Sequence, residues 1–274
     1  MTTNGTDNPV PLPRTLYVRL SERSLCFARY ELRHEPMFMF APWDVQPQTS
    51  LTVNLREAKE SVELLREPAA RVEVIVDCPV TPVPMADFEE EDCERIYDHC
   101  FTADAPRRIF YDTFPYANAV LLFALNNAAC LALEETFGES VHYTAALTHV
   151  LKHFAAKDSV RSDGGKRFFA YLHDYQEDIA AFDGKRLLML NRYEVQTAAD
   201  VAYYTLNAAQ KLGMAADTDA FYLAGEQEMR EQTLAELGRY AKNLHNLNPT
   251  GEFNRHTVST TPGVPYDLMT ALVE

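Results

Sequence analysis

Glycine is scarce in this sequence: 10 residues in 274, roughly half the usual share of about 7%. The loops that cradle phosphate with bare backbone are commonly built from glycine, so the shortage already weighs against phosphate chemistry. Cysteine is sparse and unpaired in pattern. Cys26, Cys78, Cys93, Cys100 and Cys130 are odd in number and form no C-x-x-C, which leaves no metal or redox motif and points to reduced, structural thiols. Cys93 and Cys100, seven apart, are expected on one buried helix face. Long apolar runs are missing too: the longest candidate, Ala117 to Leu125, is broken by Asn118 and stops at Asn126, too short to cross a bilayer. Basic clusters are also lacking. Twenty-five Lys and Arg stand against 40 Asp and Glu, a net charge of −15 spread along the chain, which disfavours nucleic acid and anionic lipid as partners. Residues 1–14 are polar and proline-containing with no apolar core, so they read as a flexible tail rather than a secretory signal, and the expected location is cytoplasmic.

What is present is ordinary for a folded protein. Apolar residues make up 47% and charged residues 24%, and the length corresponds to about 1.8 domains. Leu16 to Leu20, Leu25 to Tyr30 and Met37 to Phe40 read as three strands, the last two joined by a turn around His34-Glu35-Pro36. Leu55, Ala58, Val62 and Leu65 then recur at helical spacing until Pro68. Val72 to Val76 is a β-branched strand, and the prolines at 79, 82 and 84 forbid helix after it. Asp87, three before Glu90, marks a helix start ahead of Cys93, Ile96, Tyr97 and Cys100. Arg108 to Tyr111 and Ala119 to Leu125 read as a hairpin about Pro115, Asn127 to Phe137 as a helix ended by Gly138, Val141 to Leu147 as a strand and His149 to Ala156 as a helix.

After the polar stretch 157–166 the opening pattern returns. Phe168 to Leu172, Ile179 to Phe182 and Leu187 to Leu190 read as strands, with turns at His173-Asp174-Tyr175 and at Asp183-Gly184, where both residues tolerate positive φ. Thr197 and Asp200 cap a helix striped by Val201, Tyr204, Ala208 and Leu212 and stopped by Gly213. A strand at Ala220 to Leu223 and a helix from Gln227 to Leu237 close the second unit. Two strand-strand-strand-helix-strand-helix units thus start 152 residues apart, from Leu16 to Phe168. The order implies two α/β domains, each a mixed sheet flanked by helices, the alternative being two unrelated domains. The expected bounds are 15–156 and 157–250, with 251–274 as a C-terminal tail.

Four stretches resemble a bacterial family of unknown function whose fold is that of actin-like, ribonuclease H-like ATPases. They are Val74-Ile75-Val76 to Val83-Pro84 and Phe88; Ile109 to Thr113 leading to Ala119 to Phe123; Ala181 to Leu187 through Asn191-Arg192-Tyr193; and Ala199 to Tyr204 followed by Leu223-Ala224-Gly225-Glu226. The resemblance implies a nucleotide cleft between the domains, with Asp and Gly in each β1–β2 turn. Here the first turn is Ser21-Glu22-Arg23-Ser24 and the second carries Asp174 without glycine; Gly225 and Glu226 are half of the adenosine-side signature. Asp174, Gly225 and Glu226 are therefore candidate remnants of a nucleotide site. No catalytic residue, metal or cofactor is expected, with ATP and Mg²⁺ the alternative. The functional expectation is a catalytically silent scaffold or adaptor for a cytoplasmic protein; the alternatives are an ATP-dependent switch with diverged loops and a small-ligand module using the cleft.

Other clusters point elsewhere more weakly. His149 and His153 have zinc-sharing spacing but lack the glutamate of a metalloprotease helix, and read as a surface or partner-facing pair. Glu89 to Asp92 reads as a solvated helix start. Asp77 at a strand end suggests nuclease carboxylates, but Leu16 to Leu20 offers no second acid. No G-x-S-x-G elbow, Walker-type loop or dinucleotide fingerprint occurs.

Overall fold

The computed structural model describes residues 15–32, 36–46, 48–102, 105–138, 141–158, 165–253 and 256–273. The 1–14 tail, the His34-Glu35 part of the first expected turn and most of the polar stretch before residue 165 lie outside the described residues. The chain opens with β1 (Thr15–Leu20), β2 (Leu25–Leu32) and β3 (Pro36–Trp43), an antiparallel run, followed by helix α1 (Leu51–Ser61) and β4 (Arg71–Val76). Strand β4 pairs parallel with β1, and its other edge later takes β8 (Val141–Ala145), also parallel. The order of this sheet is β3-β2-β1-β4-β8.

Between β4 and β8 the chain builds a second layer: β5 (Val80–Pro84), α2 (Cys93–Cys100), the hairpin β6 (Arg107–Phe114) and β7 (Ala119–Asn126), and α3 (Asn127–Phe137). These strands form a three-stranded antiparallel sheet in the order β5-β7-β6. Helix α4 (Ala146–Asp158) follows β8.

The second sheet repeats the first. Strands β9 (Lys166–His173), β10 (Gln176–Asp183) and β11 (Arg186–Glu194) run antiparallel; α5 (Ala198–Lys211) leads to β12 (Ala220–Gly225), parallel to β9; α6 (Gln227–Leu237) leads to β13 (Leu244–Asn246), parallel to β12. The order is β11-β10-β9-β12-β13, strand for strand the counterpart of β3-β2-β1-β4-β8. Two sheet-bearing α/β domains share one plan, and the three-stranded layer is an addition to the first.

Burial on both faces explains why the central strands read as nearly continuous apolar runs. Along β9, Phe168, Ala170 and Leu172 face α5 and α6, while Phe169 and Tyr171 face the first domain, with Phe169 stacked on Phe154 of α4 at 4.5 Å. Helix α5 starts as the sequence indicates: the Thr197 hydroxyl accepts from Asp200 N while the Asp200 carboxylate takes the Thr197 N–H.

Several details differ from the sequence reading. Asp87 ends a single 3₁₀ turn, and α2 begins only at Cys93, because Phe88 and Glu89 are extended. Cys100 is exposed, unlike buried Cys93, since α2 packs on the small sheet through Cys93, Ile96 and Tyr97. In the β10–β11 turn Asp183 pairs with Arg186, so the central residues are Gly184 and Lys185, and only Gly184 takes positive φ.

The expected tail does not trail: its described residues, 251–253 and 256–273, complete α7 (Pro249–Glu252), form α8 (Thr257–Thr260) and α9 (Tyr266–Val273) and return to the first domain, with Val258, Leu268 and Met269 in the shared core. Among the described residues no helix is long and apolar enough to cross a membrane.

At the end of β12, Gly225 sits at φ +103°, paired with Leu172, and a Cβ there would lie 1.9 Å from the Leu172 carbonyl oxygen. Backbone contact between β12 and β9 fixes this glycine. A Gly225→Ala variant is therefore expected to lose more than about 2 kcal/mol of stability in chemical denaturation, whereas Gly251→Ala, where a Cβ meets nothing within 4 Å, should stay within about 0.5 kcal/mol.

Candidate functional site

The ends of β1, β4 and β9 and the start of β10 converge where the two domains meet, and the side chains they bring there are charged. Arg19 lies on β1 between Val18 and Leu20 and is 2% exposed. Its Nε donates to both carboxylate oxygens of Asp267 on α9, at 2.8 and 2.9 Å. Its Nη1 donates to Ser24 Oγ at 2.7 Å, and Nη2 reaches Asp174 at 3.4 Å and Asp77 at 3.6 Å. Asp77 directly follows β4, and its N–H extends the β1 ladder by donating to the Leu20 carbonyl at 2.8 Å.

From the second domain, His173 stands between two carboxylates, with Nδ1 3.2 Å from Asp77 and Nε2 2.8 Å from Asp178. Arg192 on β11 binds both as well: Nη2 lies 2.8 Å from Asp77 and 2.6 Å from Asp178, and Nε donates to Asp178 at 2.7 Å. Alternation along the strands produces this. Asp178 occupies the same face of β10 as Ala180 and Phe182, toward the first domain. Glu177 turns the other way, is fully buried, and accepts from Thr205 on α5 at 2.7 Å.

Electrostatics follow from the pairing. Burial penalises charge on His173, yet the adjacent Asp178 and Asp77 carboxylates outweigh it and push the imidazole up to about 9. Burial likewise opposes ionisation of Asp77 and Asp178, but His173 and the arginines hold both carboxyls below the usual range. Glu177 lacks such a cation, and burial raises its carboxyl to about 8 despite the Thr205 hydroxyl.

Asp77, His173 and Asp178 place potential ligand atoms within 4.8 Å of one another. The set does not fit a metal ion. Both imidazole nitrogens already face carboxylates, and Arg192 bridges the same two acids, so the positive charge a cation would bring is already supplied.

The two β-turns whose counterparts bind phosphate in the ATPases of this resemblance face each other beside this cluster. Asp174 and Tyr175 take positive φ, 45° and 62°, a conformation glycine would adopt at no cost. Arg23 from the first turn lies over the Tyr175 ring, 4.9 Å from its centroid. The backbone N–H of Asp174 donates to Glu226 Oε1 at 2.8 Å. The structure thus brings Asp174, Gly225 and Glu226 together, but as partners of one another and of Leu172. Next to the turns opens a cleft of about 1130 Å³, bordered by Glu22, Arg23 and Asp77 on one side and Asp174, Asn191 and Arg192 on the other.

His149 and His153 diverge: the first meets Thr144 at 2.9 Å, while the second meets Glu252 at 3.3 Å and packs on Phe253. The surface or partner-facing reading of the pair fails for His153, which is covered by the returning C-terminal segment. Glu89 to Glu91 are exposed, as a solvated helix start would be.

The comparisons agree with this architecture. The sequence profile of the family described as Protein of unknown function (DUF3822) matches residues 12–244, and the chain belongs to that family. A crystal structure from Bacteroides thetaiotaomicron, described as a protein with actin-like ATPase fold and unknown function, is 22% identical and superposes with a TM-score of 0.77 over 91% of this chain and 96% of that one. A PilM–PilN type IV pilus biogenesis complex contains a chain 12% identical, with a TM-score of 0.63 over 96% of this chain and 98% of that one. The fold is that of the actin-like ATPases. No curated protein matches the sequence.

Removing one member of the buried cluster strands its partners. Asp267→Ala leaves the Arg19 guanidinium without its two-oxygen acceptor and is expected to cost about 3–5 kcal/mol in urea denaturation. Asp174→Ala, whose carboxylate is 28% exposed and 3.4 Å from Arg19, should cost under about 1 kcal/mol. Equal losses would show that burial does not set the strength of these pairs.

Proposed function

We propose that this DUF3822 protein uses its actin-like fold as a catalytically silent scaffold or adaptor for another cytoplasmic protein. The observation that carries this reading is the junction of the two turns. Phosphoryl transfer rests on positioning and on positive charge around the γ-phosphate. Here Arg23 is engaged with Tyr175, and the Asp174 N–H is taken by the Glu226 carboxylate. A phosphate entering at that N–H would have to displace the Glu226 carboxylate beside that of Asp174, in a cleft that Glu22 also borders. Protein association with this fold has a precedent in the PilM–PilN complex, which offers the kind of role without naming a partner for this chain.

The cleft of about 1130 Å³ favours one further reading, a small-ligand module that binds something other than nucleotide. An ATP-dependent switch with diverged loops is the third reading, and it is the one most directly tested. Purified protein with Mg-ATP should release phosphate no faster than buffer, and Asp174→Ala should match it. Phosphate release that disappears in Asp174→Ala would restore the ATPase. If ATP is not turned over, capture of a stoichiometric protein partner from the native host supports the scaffold, and a thermal shift on metabolite titration without such a partner supports the ligand module.

A further inference from the structure

Where the resemblance implies a bound nucleotide between the domains, this protein places fixed charges. Asp77 and Arg19 come from the first domain, and His173, Asp174, Asp178 and Arg192 from the second, with Asp267 arriving on α9. Three of these contacts cross between the domains: Asp77 to His173, Asp77 to Arg192 and, more loosely, Arg19 to Asp174. We propose that this cluster is a proton-controlled clasp, in which protonated His173 holds the two domains closed and loss of its proton lets the interdomain cleft open.

Geometry carries the argument. His173 Nε2 is hydrogen-bonded to Asp178 at 2.8 Å, and Nδ1 lies 3.2 Å from Asp77, an ion-pair distance without hydrogen-bond alignment. A protonated imidazole donates from both nitrogens; a neutral one has a single N–H. Deprotonation therefore leaves either Asp77 or Asp178 facing a lone pair in a site where both are at most 5% exposed. The charge balance shifts in the same direction. Arg19, Arg192 and protonated His173 oppose Asp77, Asp174, Asp178 and Asp267, one negative charge in excess; neutral His173 makes it two. Buried and uncompensated, that charge is relieved most directly by admitting water, and the cleft bordering Asp77, Asp178 and Arg192 is the route.

Among the described residues one other buried group is raised near this range, Glu177, to about 8, but it lies on the opposite face of β10 against Thr205. Tyr171, stacked on its ring at 4.4 Å, has its hydroxyl raised by burial well above its usual value. Cys78, beside Asp77 and Arg192, is pushed by burial up to about 12, and Cys26, near Arg19, likewise to about 12. Arg19 and Arg192 stay charged. Because the imidazole is raised from 6.5 to about 9, the closed state has its full advantage below pH 6.5 and loses it as pH rises through 9.

Small-angle X-ray scattering from pH 6 to 10 at fixed ionic strength, with far-UV circular dichroism on the same samples, tests the clasp. The wild-type radius of gyration should rise with a midpoint near pH 9 while the dichroism stays constant. Glu177→Gln, which removes the other buried group that titrates near this range, should keep that midpoint. His173→Gln, neutral throughout, should show no step between pH 7 and 10. Should that variant fold poorly, Asp77→Asn, which removes the carboxylate across the domain boundary, should move the step to lower pH. No expansion up to pH 10, a step shared by His173→Gln, a step abolished by Glu177→Gln, or loss of dichroism together with the expansion would each overturn the proposal.

Discussion

Charge buried at a joint between domains has to be compensated on the spot, and that requirement organises this molecule. Asp77, Asp178 and Asp267 are all at most 5% exposed, and each is met by a cation from another element. Such a network is a poor source of net stability, because removing charges from water costs about as much as their attraction returns. Its effect is on geometry. Arg19 and Arg192 accept only directional partners, so the strand ends that carry them are fixed relative to each other more narrowly than an apolar contact would fix them.

The duplicated sheets meet this requirement by symmetry of plan. Strands β1 and β9 are the central strands of their sheets, each flanked by an antiparallel and a parallel neighbour, and each ends at the junction with a residue of the cluster: Arg19 near the end of one, His173 at the end of the other. The layer inserted between β4 and β8 does not disturb this. It has its own small core around Val83, Cys93, Tyr97, Val120 and Leu122.

Much of the fold was legible in the sequence because its signals are local. Alternation, the Thr197–Asp200 capping pair and the Gly138 stop each need only a few neighbouring residues. Of the site, the turn with Asp174 and the Gly225-Glu226 pair were legible through the resemblance. Arg19, His173, Asp178, Arg192 and Asp267 were not. A lone charge among apolar neighbours announces a burial cost, but its compensating partner lies 5 to 248 positions away. Asp267 was further hidden because Tyr266-Asp267-Leu268-Met269 lies beyond the last repeated element, where no pattern predicts a docking surface.

The bond between Arg19 and Asp267 spans 248 positions, and that distance bears on how the protein is made. On a ribosome, β1 emerges early, carrying a guanidinium meant for a site with almost no water. Its acceptor is translated last among the elements that contact it, at 5–20 residues per second roughly 12 to 50 seconds later. Until then the first sheet can pair its strands, but within it Arg19 has only Ser24 and the looser contact with Asp77. The order of synthesis thus places the two-oxygen acceptor of Arg19 last among its partners, so this joint has its full set of charges only once α9 has been made.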